Sequence, residues 1–174
     1  MGIAQAVKRA GSGFLRNPIY VLFYSCRILM PGLKSNQHSL KTNGMIMTNR
    51  ARILIVENET PVAMMMVNAL TRAGCEVLVA PTGKRGIELA QENKFNLIVL
   101  ALDLTDISGF DIAGELKQRH QTRNTPIVFI SDQAAIEDQQ RALELGAADF
   151  IEKPFGEEFV SRLLSRIKQT EVPA

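Results

Sequence analysis

Four apolar runs in this chain end on residues whose types could do chemistry. Glu57-Asn58-Glu59 follows Val56, Ala101-Leu102-Asp103 closes the run from Leu97, Ser131 follows Ile130, and Lys153-Pro154 follows Glu152. Carboxylates give the oxygen ligands that a hard cation such as Mg²⁺ requires. An ammonium pairs with anionic oxygens, and a hydroxyl hydrogen-bonds phosphate. Other chemistries find less support. Cys26 and Cys75 lie far apart, with no CxxC and no neighbouring His, so they read as reduced thiols and argue against a disulfide framework or a zinc site. His38 and His120 are equally isolated and read as solvated side chains. The run Met64-Met65-Met66 reads as helix packing, not as a cofactor box.

The elements that must position these residues follow from the apolar pattern. Ile53 to Val56 is continuously apolar and mostly β-branched, as a strand covered on both faces must be. Thr60 as N-cap, Pro61 at the first helical position and Gly74 as a stop then predict a helix, with Val62, Met66, Ala69, Leu70 and Ala73 on its apolar face. The pattern repeats four more times: Glu76 to Ala80 then Lys84 to Asn93; Leu97 to Ala101 then about Gly109 to Arg119; Ile127 to Ser131 then Gln133 to Leu145; Asp149 to Glu152 then about Gly156 to Lys168. Alternating βα units with short connections predict a parallel sheet with helices on both faces, a doubly wound three-layer α/β sandwich in strand order 2-1-3-4-5. In that order the site lies beyond the carboxyl ends of the strands, between the first and third, where the polar residues named above collect.

The stretch Leu97 to Phe110, LIVLALDLTDISGF, resembles the third strand and following loop of response-regulator receiver domains of two-component systems. The resemblance extends over about Arg52 to Lys168 and implies a CheY-like, flavodoxin-like (βα)5 fold. In that family an aspartate eight residues before the loop glycine accepts a phosphoryl group from a histidine kinase. Counting back eight from Gly109 reaches Ala101, whose methyl group cannot be phosphorylated. Carried over by position, the resemblance makes Glu57 and Asn58 the metal-binding acidic pair, with Glu59 in the same acidic loop. It makes Ser131 the switch hydroxyl, Phe150 the switch aromatic and Lys153 the phosphate-pairing lysine. Asn58 stands where the family has a carboxylate, so Glu57 and Lys153 nearly balance and Mg²⁺ would bind weakly at most; no cofactor is expected. Asp103 is the alternative acceptor, although its spacing to Gly109 is six; otherwise it is a loop residue whose backbone carbonyl takes a metal ligand's place. Taken alone, Ser131 is equally a satisfied strand-end hydroxyl, and Lys153-Pro154 equally a turn.

The resemblance therefore implies a stand-alone pseudo-receiver, a non-enzymatic module that signals by protein contact without phosphorylation. The alternative is a phosphorylated regulator that uses Asp103. The partner would be a sensor kinase or output protein, met through the fourth helix, fifth strand and fifth helix, about Gln133 to Lys168. Arg141, Glu144, Glu152, Glu157, Glu158 and Arg162 are the charges of that face, and the face is also compatible with a homodimer. A nucleotide-binding enzyme of the same fold is disfavoured, because Glu57-Asn58-Glu59-Thr60-Pro61 is acidic and lacks the glycines of a phosphate loop.

Charge divides the chain of 174 residues unevenly: positions 1–56 hold eight Lys/Arg and no acid, and the remainder carries a net −6. The basic charges of the leader are scattered and make no nucleic-acid patch. Its one apolar run, Ile19 to Cys26, is too short for a bilayer that needs ~20 residues. No membrane or nucleic-acid partner is expected, and the location is cytoplasmic. Residues 1–47 read as a leader, either disordered, a targeting extension or an over-extended frame ahead of Met45 or Met47. The receiver-like domain is expected over 50–169, with 170–174 as a tail.

Overall fold

The computed structural model describes residues 50–167, apart from Ala134. The expected leader, Cys26, His38 and the tail lie outside the described residues.

Ten elements alternate along the chain: β1 (Arg52–Val56), α1 (Thr60–Arg72), β2 (Glu76–Ala80), α2 (Gly83–Glu92), β3 (Leu97–Ala101), α3 (Gly109–Gln118), β4 (Ile127–Ser131), α4 (Ile136–Glu144), β5 (Asp149–Glu152) and α5 (Phe159–Ser165). The strands form one sheet in the order β2-β1-β3-β4-β5, every neighbouring pair parallel. This is the doubly wound (βα)5 arrangement anticipated from the apolar runs.

Because side chains alternate across a strand, the sheet has two cores. Ile53, Ile55, Val99, Val128, Ile130 and Ile151 pack with Met66 and Leu70 of α1 and with Phe159 and Leu163 of α5. Leu54, Val56, Ile98, Leu100 and Phe129 pack with Ile87 of α2, with Ile112 and Leu116 of α3, and with Ala142 of α4. Helices on both faces complete three layers. Of the methionine run, Met66 is fully buried and Met65 exposed, which fits packing and surface roles.

Four helix starts differ from the expectation, α1 and α2 (Gly83 against Lys84) by one residue and α4 and α5 by three. The N-cap of α1 is Glu59, one residue before Thr60, and its carbonyl accepts from Ala63 N at 2.9 Å. The helix expected from Gln133 begins at Ile136, because Gln133 N donates instead to Ser131 Oγ at 3.2 Å and extends the strand-end turn. The helix expected from Gly156 begins at Phe159, since Gly156 to Glu158 form a turn whose first carbonyl accepts from Phe159 N at 3.1 Å. The Lys153–Pro154 peptide is cis.

Candidate functional site

β1 and β3 are neighbours in the sheet but carry their connections to opposite faces, so a cleft opens beyond their carboxyl ends. Glu57 enters it directly after β1. Its N–H donates to the Ala80 carbonyl at 3.0 Å, which continues the sheet by one bond and fixes the side chain at the cleft floor. Glu57 is 2% exposed, yet its oxygens are well attended. Oε1 accepts from Glu59 N at 2.9 Å. Oε2 lies 3.0 Å from Lys153 Nζ, an ion pair without an aligned hydrogen bond.

Asn58 lies between two acceptors, Glu57 Oε1 and the backbone carbonyl of Asp103. An amide oxygen there would face oxygen on both sides, so the nitrogen must point to them. In that orientation Asn58 Nδ2 donates to Glu57 Oε1 at 3.3 Å and to Asp103 O at 3.1 Å. One side chain thus ties the β1–α1 loop to the β3–α3 loop.

Lys153 reaches in from the end of β5 with its side chain only 11% exposed. Besides Glu57, it contacts Glu59 Oε1 at 3.1 Å and Asp132 Oδ1 at 3.7 Å. The expected near-balance of Glu57 and Lys153 is therefore incomplete: three carboxylates surround one ammonium. Burial alone would lower the lysine's pKa, but Glu57 and Glu59, with Asp132 farther off, raise it above the ordinary 10.5.

The remaining residues singled out by sequence take other positions. The methyl of Ala101 is 2% exposed and belongs to the core shared with α1 and α5. Asp103 is solvent-exposed, and its backbone carbonyl is what meets the cluster. Ser131 is buried and its hydroxyl accepts from Gln133 N. Phe150 is half-buried, pairs in register with Phe129, and lies 6.5 Å from that ring. Arg162, expected as an outward charge, instead holds Asp149 with two contacts of 2.7 and 2.8 Å. Arg141 sits over the Phe110 ring at 4.4 Å.

Two acids escaped sequence reasoning. Asp132, next to Ser131 at the end of β4, joins the lysine cluster, and its position at a strand terminus was the available signal. Asp106 accepts from Gly83 N at 2.8 Å and Lys84 N at 2.9 Å, capping α2 from a loop 23 residues later. Those amide donors pull its carboxyl below the ordinary range. Gly109 fixes the same loop: its N–H donates to Leu102 O at 3.0 Å, and a Cβ there would sit 2.4 Å from the Ala101 carbonyl.

Mg²⁺ requires about six oxygens at ~2.1 Å with near-octahedral placement. Here Glu57 Oε1 and the Asp103 carbonyl already accept N–H groups, and Oε2 faces an ammonium. Among the described residues no three His, Cys, Asp or Glu side chains converge as a cation cage. The donor set does not fit this ion. No helix among the described residues is long and apolar enough to cross a membrane.

The model of the response regulator receiver domain family matches residues 53–168. The transcriptional regulatory protein CusR of Escherichia coli K12 is 35% identical over 117 residues, 67% of this chain and 49% of CusR. KdpE of Mycobacterium tuberculosis H37Rv is 30% identical over 123 residues, 70% of this chain and 53% of KdpE. The chain thus spans about half the length of the curated relatives it matches. Among solved structures, the non-phosphorylated HemR receiver domain of Leptospira biflexa superposes with a TM-score of 0.65 at 34% identity, covering 72% of this chain and 100% of that domain. Chemotaxis protein CheY4 of Vibrio cholerae gives a TM-score of 0.65 at 26% identity, covering 69% and 100% respectively.

Proposed function

The chain belongs to the response regulator receiver domain family of two-component signalling, and from that premise we propose that it acts as a pseudo-receiver, signalling through protein contacts without taking a phosphoryl group. The single observation behind this reading is Ala101. The strand-end position where the family carries its nucleophile holds a methyl buried in the core. The rest of the cluster agrees, since Lys153 is engaged by carboxylates and Asn58 by acceptors. Neither is left waiting for a phosphate or for Mg²⁺, so no cofactor is required.

The receiver is a signalling domain and not an enzyme. Its partner in this reading is a sensor kinase or an output protein in the cytoplasm, with no nucleic-acid or membrane contact by this domain. The contact face is α4, β5 and α5, which also suits a homodimer. On α4, Ile136 and Leu143 lie seven residues apart, on one helix face, and are 70% and 75% exposed. Unpartnered apolar side chains of this size fit a protein contact better than hydration. Arg162 contributes less to this face than its sequence position suggests, being committed to Asp149.

Labelling with radioactive acetyl phosphate tests the proposal. Wild-type protein should stay unlabelled, Ala101→Asp should label slowly, and Ala101→Asp with Asn58→Asp should label faster because a carboxylate replaces the amide at the metal position. Ser131 and Lys153 already have suitable types, so no third change is needed. A labelled wild type whose label disappears in Asp103→Asn would replace this reading with a displaced acceptor.

A further inference from the structure

We propose that Asn58 is a built-in replacement for the divalent cation: its amide N–H groups hold the β1–α1 and β3–α3 loops together without metal, while the Lys153 ammonium covers the remaining Glu57 oxygen. The inference deepens the pseudo-receiver reading by giving the altered site a structural task of its own. It starts from the oxygens. Glu57 Oε1 and Oε2, of one carboxylate, and the Asp103 carbonyl come from two loops on opposite sides of the cleft, and the carboxylate would repel the carbonyl if left bare. Asn58 Nδ2 bridges the first and third at 3.3 and 3.1 Å. Lys153 Nζ takes the second at 3.0 Å. An aspartate at position 58 could make neither bridge, since an ionised carboxylate only accepts hydrogen bonds. It would need a cation between itself, Glu57 and the carbonyl.

The consequence extends into the β3–α3 loop. Asp103 opens a segment pinned again by Asp106 on the amides of Gly83 and Lys84, and closed by Gly109 on Leu102 O. With Asn58 in place, all three anchors of the loop are made by the protein itself. The loop therefore keeps one conformation whether Mg²⁺ is present or absent, as suits a domain recognised by a fixed surface.

The test compares thermal unfolding of the full-length chain, its Asn58→Asp variant and its Asn58→Ala variant, each in EDTA and in millimolar Mg²⁺ with no phosphoryl donor. Wild type should melt at the same temperature in both. Asn58→Asp should melt roughly 3–6 °C lower in EDTA and recover in Mg²⁺, whereas Asn58→Ala should be lowered in both with no recovery. A wild type raised by Mg²⁺ as far as Asn58→Asp, or an Asn58→Ala protein that melts with wild type, would overturn the proposal. Should Asn58→Asp fail to fold, the wild-type side-chain amide protons of Asn58 decide by NMR. Slow exchange and no response to Mg²⁺ support the bridge; rapid exchange or a Mg²⁺-dependent shift refutes it. Labelling of wild type by acetyl phosphate would remove the pseudo-receiver reading without touching these melting curves, so the two failures are distinguishable.

Discussion

Lys153 gives the site its sharpest dependence on a single residue. Its ammonium is the counter-charge to Glu57 Oε2, an oxygen that is buried and has no aligned hydrogen bond. Lys153→Met should cost about 3 kcal/mol in urea unfolding at neutral pH, because removing one member of a buried pair leaves the other uncompensated. The folded-state pKa of Lys153 is raised, so its contribution is fully present below 10.5 and fades as the pH rises through the higher folded value. The gap between wild type and Lys153→Met should therefore be constant at neutral pH and shrink only in that alkaline window; a gap already closing below pH 9 would contradict the pairing. Ala101→Asp should also be less stable than wild type, by about 1–3 kcal/mol, because it places a polar group where a buried methyl now packs. The residue types of the cluster were readable in the sequence as strand-end positions. Which atoms meet was not, because Asp132, Glu59 and Glu57 converge on one ammonium only after β1, β3, β4 and β5 pair.

At the scale of elements, α5 is secured to β5 by one carboxylate. Asp149 takes Arg162 at 2.7 and 2.8 Å and Arg166 at 3.1 Å. Burial tends to raise its pKa, but Arg162, the Phe150 amide and Arg166 hold it below the ordinary 3.8. Its stabilisation is thus present above that value and lost as pH falls through the depressed folded one. Asp149→Asn should cost about 1–2 kcal/mol at neutral pH, the arginines being partly exposed and screened. The difference from wild type, read from urea midpoints, should be full above 3.8 and shrink as the pH falls through the depressed folded value. In α3, Gly114 lies mid-helix with nothing within 4 Å of where a Cβ would go, so Gly114→Ala should raise stability by roughly 0.5–1 kcal/mol. Element legibility followed the same logic of local against distant contacts. The strands β1, β2, β3 and β4 were readable as apolar runs because a parallel sheet covered on both faces leaves little room for polar residues, whereas the edge strand β5, Asp149-Phe150-Ile151-Glu152, offers two apolar residues and followed from the alternation of βα units. The helices α2 and α3 were placed within about a residue, and each has a side-chain cap, Thr82 and Ser108. The two starts displaced by three residues belong to α4 and α5, whose N-caps Ala135 and Glu158 make no side-chain bond. Backbone and tertiary contacts set those ends, and a sequence does not display them.

At the scale of the whole molecule, the described residues contain everything a doubly wound domain needs. The sheet has five strands, both faces carry a helix-covered core, and the switch-point cluster is assembled from β1, β3, β4 and β5 and the loops after them. Among the described residues, the apolar side chains of the two cores run from Ala51 to Ile167. The charge balance shifts just after β1, with eight basic and no acidic residues in positions 1–56 and a net −6 thereafter. Folding free energy scales with apolar surface removed from water, and among the described residues two complete cores are built from residues 51–167. A variant beginning at Met47 should therefore melt within about 2 °C of the full-length chain, with an unchanged urea m-value, which tracks the surface exposed on unfolding. Limited trypsin digestion of the full-length chain should cut first among the basic residues of the leader and leave a resistant fragment that starts near residue 50. A leader as resistant as the core, or a shortened variant with a lower m-value, would show that residues 1–46 add buried surface of their own and would move the domain boundary towards the N-terminus.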